Sequence, residues 1–312
     1  MITKISTKDM SHEEWLAARN KTIGGSDAGA LMGLNPYKSA YALWAEKTGK
    51  IIPEDISDNE TVRLGNDLED YVAKRWEDKT GKKLRRDNHI IYNSDYPFAH
   101  ANIDRDVVGE DAGFEAKTTS NWEYIKLLEQ GKIPDTWYAQ VVHYLMTTGK
   151  QRWYLGALAF GRGFFDVTIE RDEAEIQALA GVESTFWDKV ITCTPPDVDG
   201  EESTLSALRT IFKDSDPGSG ADLTAVSNHL LLYAGLKKQI SELEKQLDMH
   251  AAAVMEFMGT AEKGKAGQFS VSWKSQSRSN FDRKAFEAAN GPIPDMYFKQ
   301  SSSRPFKVTV KE

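Results

Sequence analysis

The sequence predicts an α/β chain with a mainly helical C-terminal extension, and three observations carry that reading. Leu64, Leu68, Tyr71, Val72 and Trp76 recur at helical spacing in the N-terminal third. From Leu84 onward, short β-like runs alternate with helical patterns and are punctuated by Asn, Asp and Gly turns. Beyond residue 223, the positions Leu236, Ile240, Leu243, Leu247, His250, Val254 and Phe257 alternate spacings of four and three, a heptad-like stripe on one long helix ending at Gly259.

The elements follow in order. Ser11 with Glu14 three residues on has the form of a capping box and opens a short helix through Arg19. Gly24-Gly25 breaks it, and Ser26 is the expected cap of a second short helix that Gly33 ends. A third helix covers 39–47 and a fourth 62–80, the latter stopped by Gly81. Strands are expected at 90–92, 101–108 and 113–118, with turns at 93–95 and 109–111. Helices return at 122–129 and 136–147, strands at 152–159 and 164–169, and a helix at 172–190 precedes Pro195-Pro196. This divides the chain into a domain at 1–200, a Pro/Gly/Ser-rich linker at 201–222 with a small helix inside it, and a C-terminal region at 223–312. That region holds the long helix, a hairpin-like piece at 268–274 and a short helix at 282–289.

Composition narrows the function classes. With 312 residues, 40% hydrophobic and 28% charged, the profile is that of an ordinary globular protein. No apolar run approaches the ~20 residues of a membrane helix, and the opening MITKISTKDM has no secretory apolar core, so a cytoplasmic protein of a bacterium or phage-infected host is expected. The single cysteine, Cys193, excludes an internal disulfide and a Cys-rich zinc site. The six histidines show no zinc spacing, and His100 and His143 stand alone in the sequence. The net charge of −8 argues weakly against broad nucleic-acid binding. Residues 262–311, however, hold ten Lys/Arg against four Asp/Glu, a local +6 that leaves −14 for the remainder. An acidic body can still meet a polyanion where divalent cations fill its acidic pocket.

The stretch ANIDRDVVGEDAGFEAKTT, residues 101–119, sets carboxylates and a lysine among β-like apolar residues. Side chains alternate faces along a strand. Asp104 and Asp106 therefore share one face, and Glu115 and Lys117 share another. If the two strands pair through the 109–113 turn, Asp104, Glu115 and Lys117 converge. Two carboxylates at one point repel unless a positive charge lies between them. A hard divalent ion suits such oxygen ligands, and a lysine beside it can orient water or stabilise charge on a phosphate. A plain solvated hairpin face is the alternative. Upstream, Glu69 follows Gly65 by four residues, where backbone could approach closely; downstream, Gln140 and Tyr144 lie one helical turn apart on one face.

The ordered set Gly65-x3-Glu69, Asp104, Glu115-Ala116-Lys117, Gln140-x3-Tyr144 resembles the PD-(D/E)XK nuclease superfamily, and within it the YqaJ-type viral recombinases that include phage lambda exonuclease. Trp15-Leu16-Ala17-Ala18-Arg19, Ser26-Asp27-Ala28, Leu34-Asn35-Pro36-Tyr37 and Leu43-Trp44 extend the resemblance over roughly residues 10–195. Asn102-Ile103 stands where the superfamily name places a proline before the aspartate. The resemblance implies a restriction-endonuclease-like core, a mixed central sheet flanked by helices. It implies that Asp104, Glu115 and the Ala116 carbonyl ligate Mg²⁺, for which Mn²⁺ could substitute, and that Glu69 reaches the metal site. It further implies that Lys117 acts on the attacking water, with Gln140 holding Lys117 or the water and Tyr144 supporting it. Arg19 and Ser26 match positions that grip a terminal 5′ phosphate. Arginine's planar fork fits phosphate oxygens, and free N–H groups at a helix start attract anions; a simple cap and an exposed last-turn residue are the bland readings.

The function implied is a Mg²⁺-dependent 5′-to-3′ exonuclease on double-stranded DNA ends, leaving 3′ overhangs for recombination. The implied partners are DNA ends and a phage-type single-strand annealing protein. A homo-oligomer is implied as well, the ring trimer being the form taken by members close to lambda exonuclease. Alternatives are an endonuclease of the same fold acting on branched or single-stranded DNA, a non-catalytic DNA-end-binding module, and, remotely, a two-carboxylate glycosidase. The heptad-like stripe fits either a coiled coil between subunits or packing on its own domain. Lys263, Lys265, Lys274, Arg278, Arg283, Lys284 and Arg304, interleaved with Phe269, Trp273, Phe281, Tyr297 and Phe306, fit either a DNA-contacting face or a solvated face over a small core.

Overall fold

Strand β6, Ala112–Thr119, is the element around which the N-terminal unit is organised. In this computed structural model, which describes residues 1–53, 55–299 and 303–310, the chain forms two compact units, Met1–Phe212 and Lys213–Glu312. The first unit runs β1 (Ile2–Ser6), α1 (His12–Asn20), α2 (Gly25–Leu31), α3 (Ala40–Lys47), α4 (Glu60–Thr80), β2 (Leu84–Arg86), β3 (His89–Asn93), β4 (His100–Ala101), β5 (Arg105–Val107) and β6. It continues through α5 (Trp122–Glu129), α6 (Asp135–Thr148), β7 (Arg152–Ala159), β8 (Gly163–Glu170), α7 (Glu173–Ile191) and α8 (Glu202–Ile211). The second unit holds α9 (Ser227–Met258), β9 (Lys263–Ala266), β10 (Phe269–Ser272) and α10 (Arg283–Asn290).

The central sheet has the order β2-β5-β6-β7-β8 and is mixed. β6 runs parallel to β7 along its whole length, from Ala112 opposite Arg152 to Thr119 opposite Ala159, and the other neighbours are antiparallel. The parallel pair needs a crossover, which α5 and α6 supply. Alternation along the strands assigns the two faces. Phe114 and Tyr154 pack on Val72, Ala73 and Trp76 of α4. On the opposite face Trp153, Leu155 and Ala157 pack with Val141, Val142 and Leu145 of α6. Side chains such as Trp76 and Trp153, 1% and 0% exposed, each contribute about 2–3 kcal/mol of burial free energy. A third cluster joins α3, α7 and α8 through Leu43, Trp44, Phe186 and Ala207, so the helix at Glu202–Ile211 belongs to the N-terminal unit. A separate antiparallel sheet, β1-β3-β4, flanks this core.

Two local expectations change. The run 101–108 is not one strand: pairing stops after β4 and resumes at Arg105, which leaves Asn102 to Asp104 as a connection between two sheets. The first strand, Ile2–Ser6, is exposed at every position, so its sequence carries no burial pattern by which to read it; it pairs with β3 through its backbone. In the second unit the heptad-like positions are exposed, Leu236 at 57%, Leu243 at 62% and Leu247 at 69%. Phe269, Trp273, Phe281, Tyr297 and Phe306 are exposed too, alongside the basic residues from Lys263 to Arg304. Lys311, counted in the basic stretch, lies outside the described residues.

Candidate metal centre and its surroundings

β5 covers only the first part of β6: Asp106 pairs with Gly113 and Arg105 with Phe114, and then β5 ends. From Glu115 onward that edge of β6 has no strand partner among the described residues. Asp104, one residue before β5, turns into the gap and accepts the Ala116 N–H at 2.8 Å through Oδ2. The N–H and C=O of one strand residue point to the same edge, so the Ala116 carbonyl also faces the gap. α4 closes the far side. The resulting cavity, about 270 Å³, is lined by Gly65, Asn66, Glu69, Asp104 and the run Glu115 to Thr118.

The electrostatics of this cavity point to a cation. Burial, followed by the negative charge of Glu115, pushes the Asp104 carboxyl up to about 7, against the opposing pull of the Ala116 N–H, Lys117 and Arg105. Glu115 Oε1 accepts from Lys117 Nζ at 2.7 Å and from Gln140 Nε2 at 2.9 Å, while its Oε2 is buried with no hydrogen-bond partner among the described residues. An orphaned carboxylate oxygen beside a destabilised carboxylate and a free-edge carbonyl is the donor set of a hard divalent ion. Among the described residues no three His, Cys, Asp or Glu side chains are grouped so as to hold an ion by themselves. A metal here would take two carboxylates, the carbonyl and water.

Glu69 reaches the same cavity wall from α4, but its Oε1 accepts from Arg105 Nη2 at 2.8 Å. Burial and then the Asp104 charge raise its pKa, with Arg105 and Arg86 acting in the opposite sense. Arg105 is itself 4% exposed and also binds Asp70 at 2.6 Å, which pins α4 onto β5. Asp106 faces away from the site, toward Lys150 at 3.0 Å and Arg85 at 3.3 Å.

Lys117 donates to Gln140 Oε1 at 2.8 Å as well as to Glu115. Because an ammonium only donates, the Gln140 carbonyl must face it, and the Gln140 amide nitrogen then donates to Glu115 and to Tyr144 Oη at 2.7 Å. Burial holds the Tyr144 phenol well above its ordinary pKa, so it stays protonated. Two of the three Lys117 protons are committed and the third is free for a ligand in the cavity.

Arg19 and Ser26 also meet. Arg19 Nη2 lies 3.4 Å from Ser26 Oγ, and the guanidinium rests on the Trp15 ring, 4.4 Å from its centroid. Ser26 is not the cap: Gly24 occupies the N-cap position with extended backbone, and Ser26 is the second helical residue. Behind them the nearly buried Lys47 ammonium ties the chain together. It donates to the Arg19 carbonyl at 3.2 Å and the Thr22 carbonyl at 2.8 Å, and pairs with Asp27 at 3.1 Å. Gly25 joins this corner to α6, since a Cβ there would fall 2.5 Å from Tyr144 Cε1.

His100 and His143, isolated in sequence, are neighbours in space. His143 Nε2 donates to the His100 carbonyl at 2.8 Å, and its Nδ1 faces Glu183 Oε1 at 2.7 Å. Lys47, Asp27, Arg105 and Glu183 were not foreseen as part of this architecture. Asp27 stands inside the quoted Ser-Asp-Ala run and Arg105 inside the quoted stretch 101–119, while Lys47 and Glu183 carry no local signal.

A sequence profile for the YqaJ-like viral recombinase domain matches residues 14–151, a range that contains every residue named in the cavity and in the Arg19 corner. The uncharacterized protein YqaJ of Bacillus subtilis (strain 168) is 36% identical over 303 residues, spanning 96% of this chain and 93% of that protein. The crystal structure of an alkaline exonuclease from Laribacter hongkongensis superposes with a TM-score of 0.51 at 21% identity, covering 58% of this chain and 94% of its own. Its complex with dAMP gives the same score at 22% identity and the same coverage. With near full-length identity of this order to YqaJ, the chain belongs to the YqaJ-like viral recombinase family.

Proposed function

We propose that the chain is a Mg²⁺-dependent exonuclease that hydrolyses phosphodiesters from the 5′ strand of double-stranded DNA ends and leaves a 3′ overhang. The observation that carries this reading is the meeting of Asp104, Glu115, the Ala116 carbonyl and Lys117 at the unpaired edge of β6, with Glu115 Oε2 left without a partner. Family membership and the shared fold with an alkaline exonuclease support it.

Asp104, Glu115 and the Ala116 carbonyl would hold the ion, which supplies Lewis-acid charge to the phosphoryl oxygens and eases deprotonation of water. Lys117 presents its free N–H to the attacking water or the scissile phosphate. Gln140 fixes Lys117 by accepting its second proton, and Tyr144 fixes Gln140. Glu69, tied to Arg105, closes the wall of the cavity and bounds its water. Arg19 and Ser26 would receive the terminal 5′ phosphate, and the Gly25–Tyr144 contact keeps that corner in register with the site. The overhang is the substrate form that a single-strand annealing protein takes.

End-labelled linear duplex, labelled on each strand in turn, tests this against closed circular DNA, with Mg²⁺ and with EDTA. The expected result is Mg²⁺-dependent release from 5′ ends and intact circles. Circles cut at a comparable rate, or release from 3′ ends, would overturn it.

A further inference from the structure

The catalytic strand continues past Lys117 into a patch to which the chemistry above assigns no role. Thr119 ends β6, Asn121 caps α5, and α5 opens with Trp122, 48% exposed. The β7–β8 turn is stapled to this point, because the Phe160 N–H donates to the Thr119 carbonyl at 2.9 Å. From that turn Arg162 reaches over the Trp122 indole, its guanidinium carbon 4.8 Å from the ring centroid. Lys126 Nζ lies 5.6 Å from the same ring and pairs with Glu123 at 3.0 Å. Arg162 is exposed and makes no ion pair with a carboxylate among the described residues. It is thus a cation held in place by an aromatic face with its fork of N–H donors unspent.

The same device occurs at Arg19, which lies on Trp15. An arginine seated on an indole has given up part of its rotamer freedom before any ligand arrives, so less is lost on binding. From Lys117 to Thr119 the strand advances on the order of 7 Å, a distance that keeps the patch next to the cavity. We propose that Arg162, seated on Trp122, grips a backbone phosphate of the DNA a few nucleotides from the scissile bond, as a contact separate from the terminal-phosphate corner. This rests on the nuclease reading. It concerns binding only: Arg162 touches no reacting atom, so its loss weakens substrate capture and leaves the chemical step intact.

The experiment compares wild type with Arg162→Ala, Arg162→Lys, Trp122→Ala and Trp122→Phe on a short linear duplex with 5′-phosphorylated blunt ends. KM and kcat are measured across salt from about 50 to 200 mM. Arg162→Ala is expected to raise KM roughly tenfold, as loss of one charge-assisted hydrogen-bonded contact does. It should also reduce the slope of log(1/KM) against log[salt] by about 1, with kcat at saturating DNA within about twofold of wild type. Arg162→Lys should restore the salt slope but only part of the affinity. Trp122→Ala should raise KM while keeping the slope, and Trp122→Phe should stay near wild type. All five proteins should melt alike, since both side chains are exposed. Unchanged KM and slope in Arg162→Ala, or a fall in kcat at constant KM, would overturn the proposal while the nuclease reading stands. A wild type that cuts no linear duplex would overturn both.

Discussion

Adding a single methyl group at Gly25 should damage the candidate metal centre from outside it. An alanine Cβ there would lie 2.5 Å from Tyr144 Cε1 and 2.9 Å from Cζ. Carbon atoms rest at about 3.5–4.0 Å, so the overlap is about 1 Å. The ring is already held. Trp153 packs against it with centroids 5.1 Å apart, and Gln140 Nε2 donates to its hydroxyl at 2.7 Å. Overpacking of this kind costs about 1–3 kcal/mol, and a unit of this size loses about 2–4 °C of melting temperature per kcal/mol. Relief comes by moving either Tyr144, and with it Gln140 and Lys117, or α2, and with it Ser26. A displacement of about 1 Å in positioned catalytic groups can cost on the order of 100-fold in rate. The assay is nuclease rate on linear duplex beside thermal melting, with Gly181→Ala as the control. Gly181 lies in α7, and beyond its chain neighbours and its own helix backbone no atom of the described residues comes within 4 Å of an added Cβ, so that substitution should be neutral or stabilising by about 0.5–1 kcal/mol. Gly25→Ala protein that melts and cuts like wild type would refute the tight coupling of α2 to Tyr144.

Further outcomes follow from the same geometry. Lys117→Ala should abolish cutting while end binding persists, because the proposed function gives its amine to the chemistry and Asp104 and Glu115 remain; unchanged cutting would remove Lys117 from the site. Arg19→Ala should slow digestion of 5′-phosphorylated ends more than 5′-hydroxyl ends, and an equal effect on both would exclude a phosphate-gripping role. His143 has an acceptor at each ring nitrogen. Burial alone would lower its pKa, but the Glu183 charge and hydrogen bond and the His100 carbonyl outweigh burial and raise it. A histidine raised on folding contributes stability that is full below about 6.5, its unfolded value, and is lost as pH rises through the folded value. Denaturant midpoints should therefore fall as pH rises above about 6.5 and through the folded value for wild type, and Glu183→Gln should flatten the slope; an equal slope in both proteins would contradict the imidazolium–carboxylate pairing.

The site was legible where chemistry is local in sequence. Glu115-Ala116-Lys117 fixes a face by strand alternation, Gln140 and Tyr144 fix one by helical pitch, and the turn between β5 and β6 brings Asp104 across. Helices and strands with strong periodicity, such as α4, α5 and β7, were readable for the same reason. The break before Arg105 was not, because Asn102 and Ile103 are compatible with a strand and only the divergence of two sheets ends it. Ser26 has the chemistry of a cap, yet Gly24 takes that position because the Asp27 carboxylate reaches back to its N–H at 3.0 Å. Contacts such as Lys47 on the Thr22 carbonyl, Arg105 on Glu69 and His143 on Glu183 depend on tertiary packing alone.

The central claim is that Asp104 and Glu115 hold a divalent ion at the unpaired edge of β6. Mn²⁺ binding, followed by the paramagnetic signal of the free ion, measures it directly in wild type, Asp104→Asn and Glu115→Gln proteins that melt normally. The account predicts saturable binding in wild type, competed by Mg²⁺, and its loss in both variants. Equal Mn²⁺ binding in all three, together with DNA cleavage that survives EDTA, would contradict it.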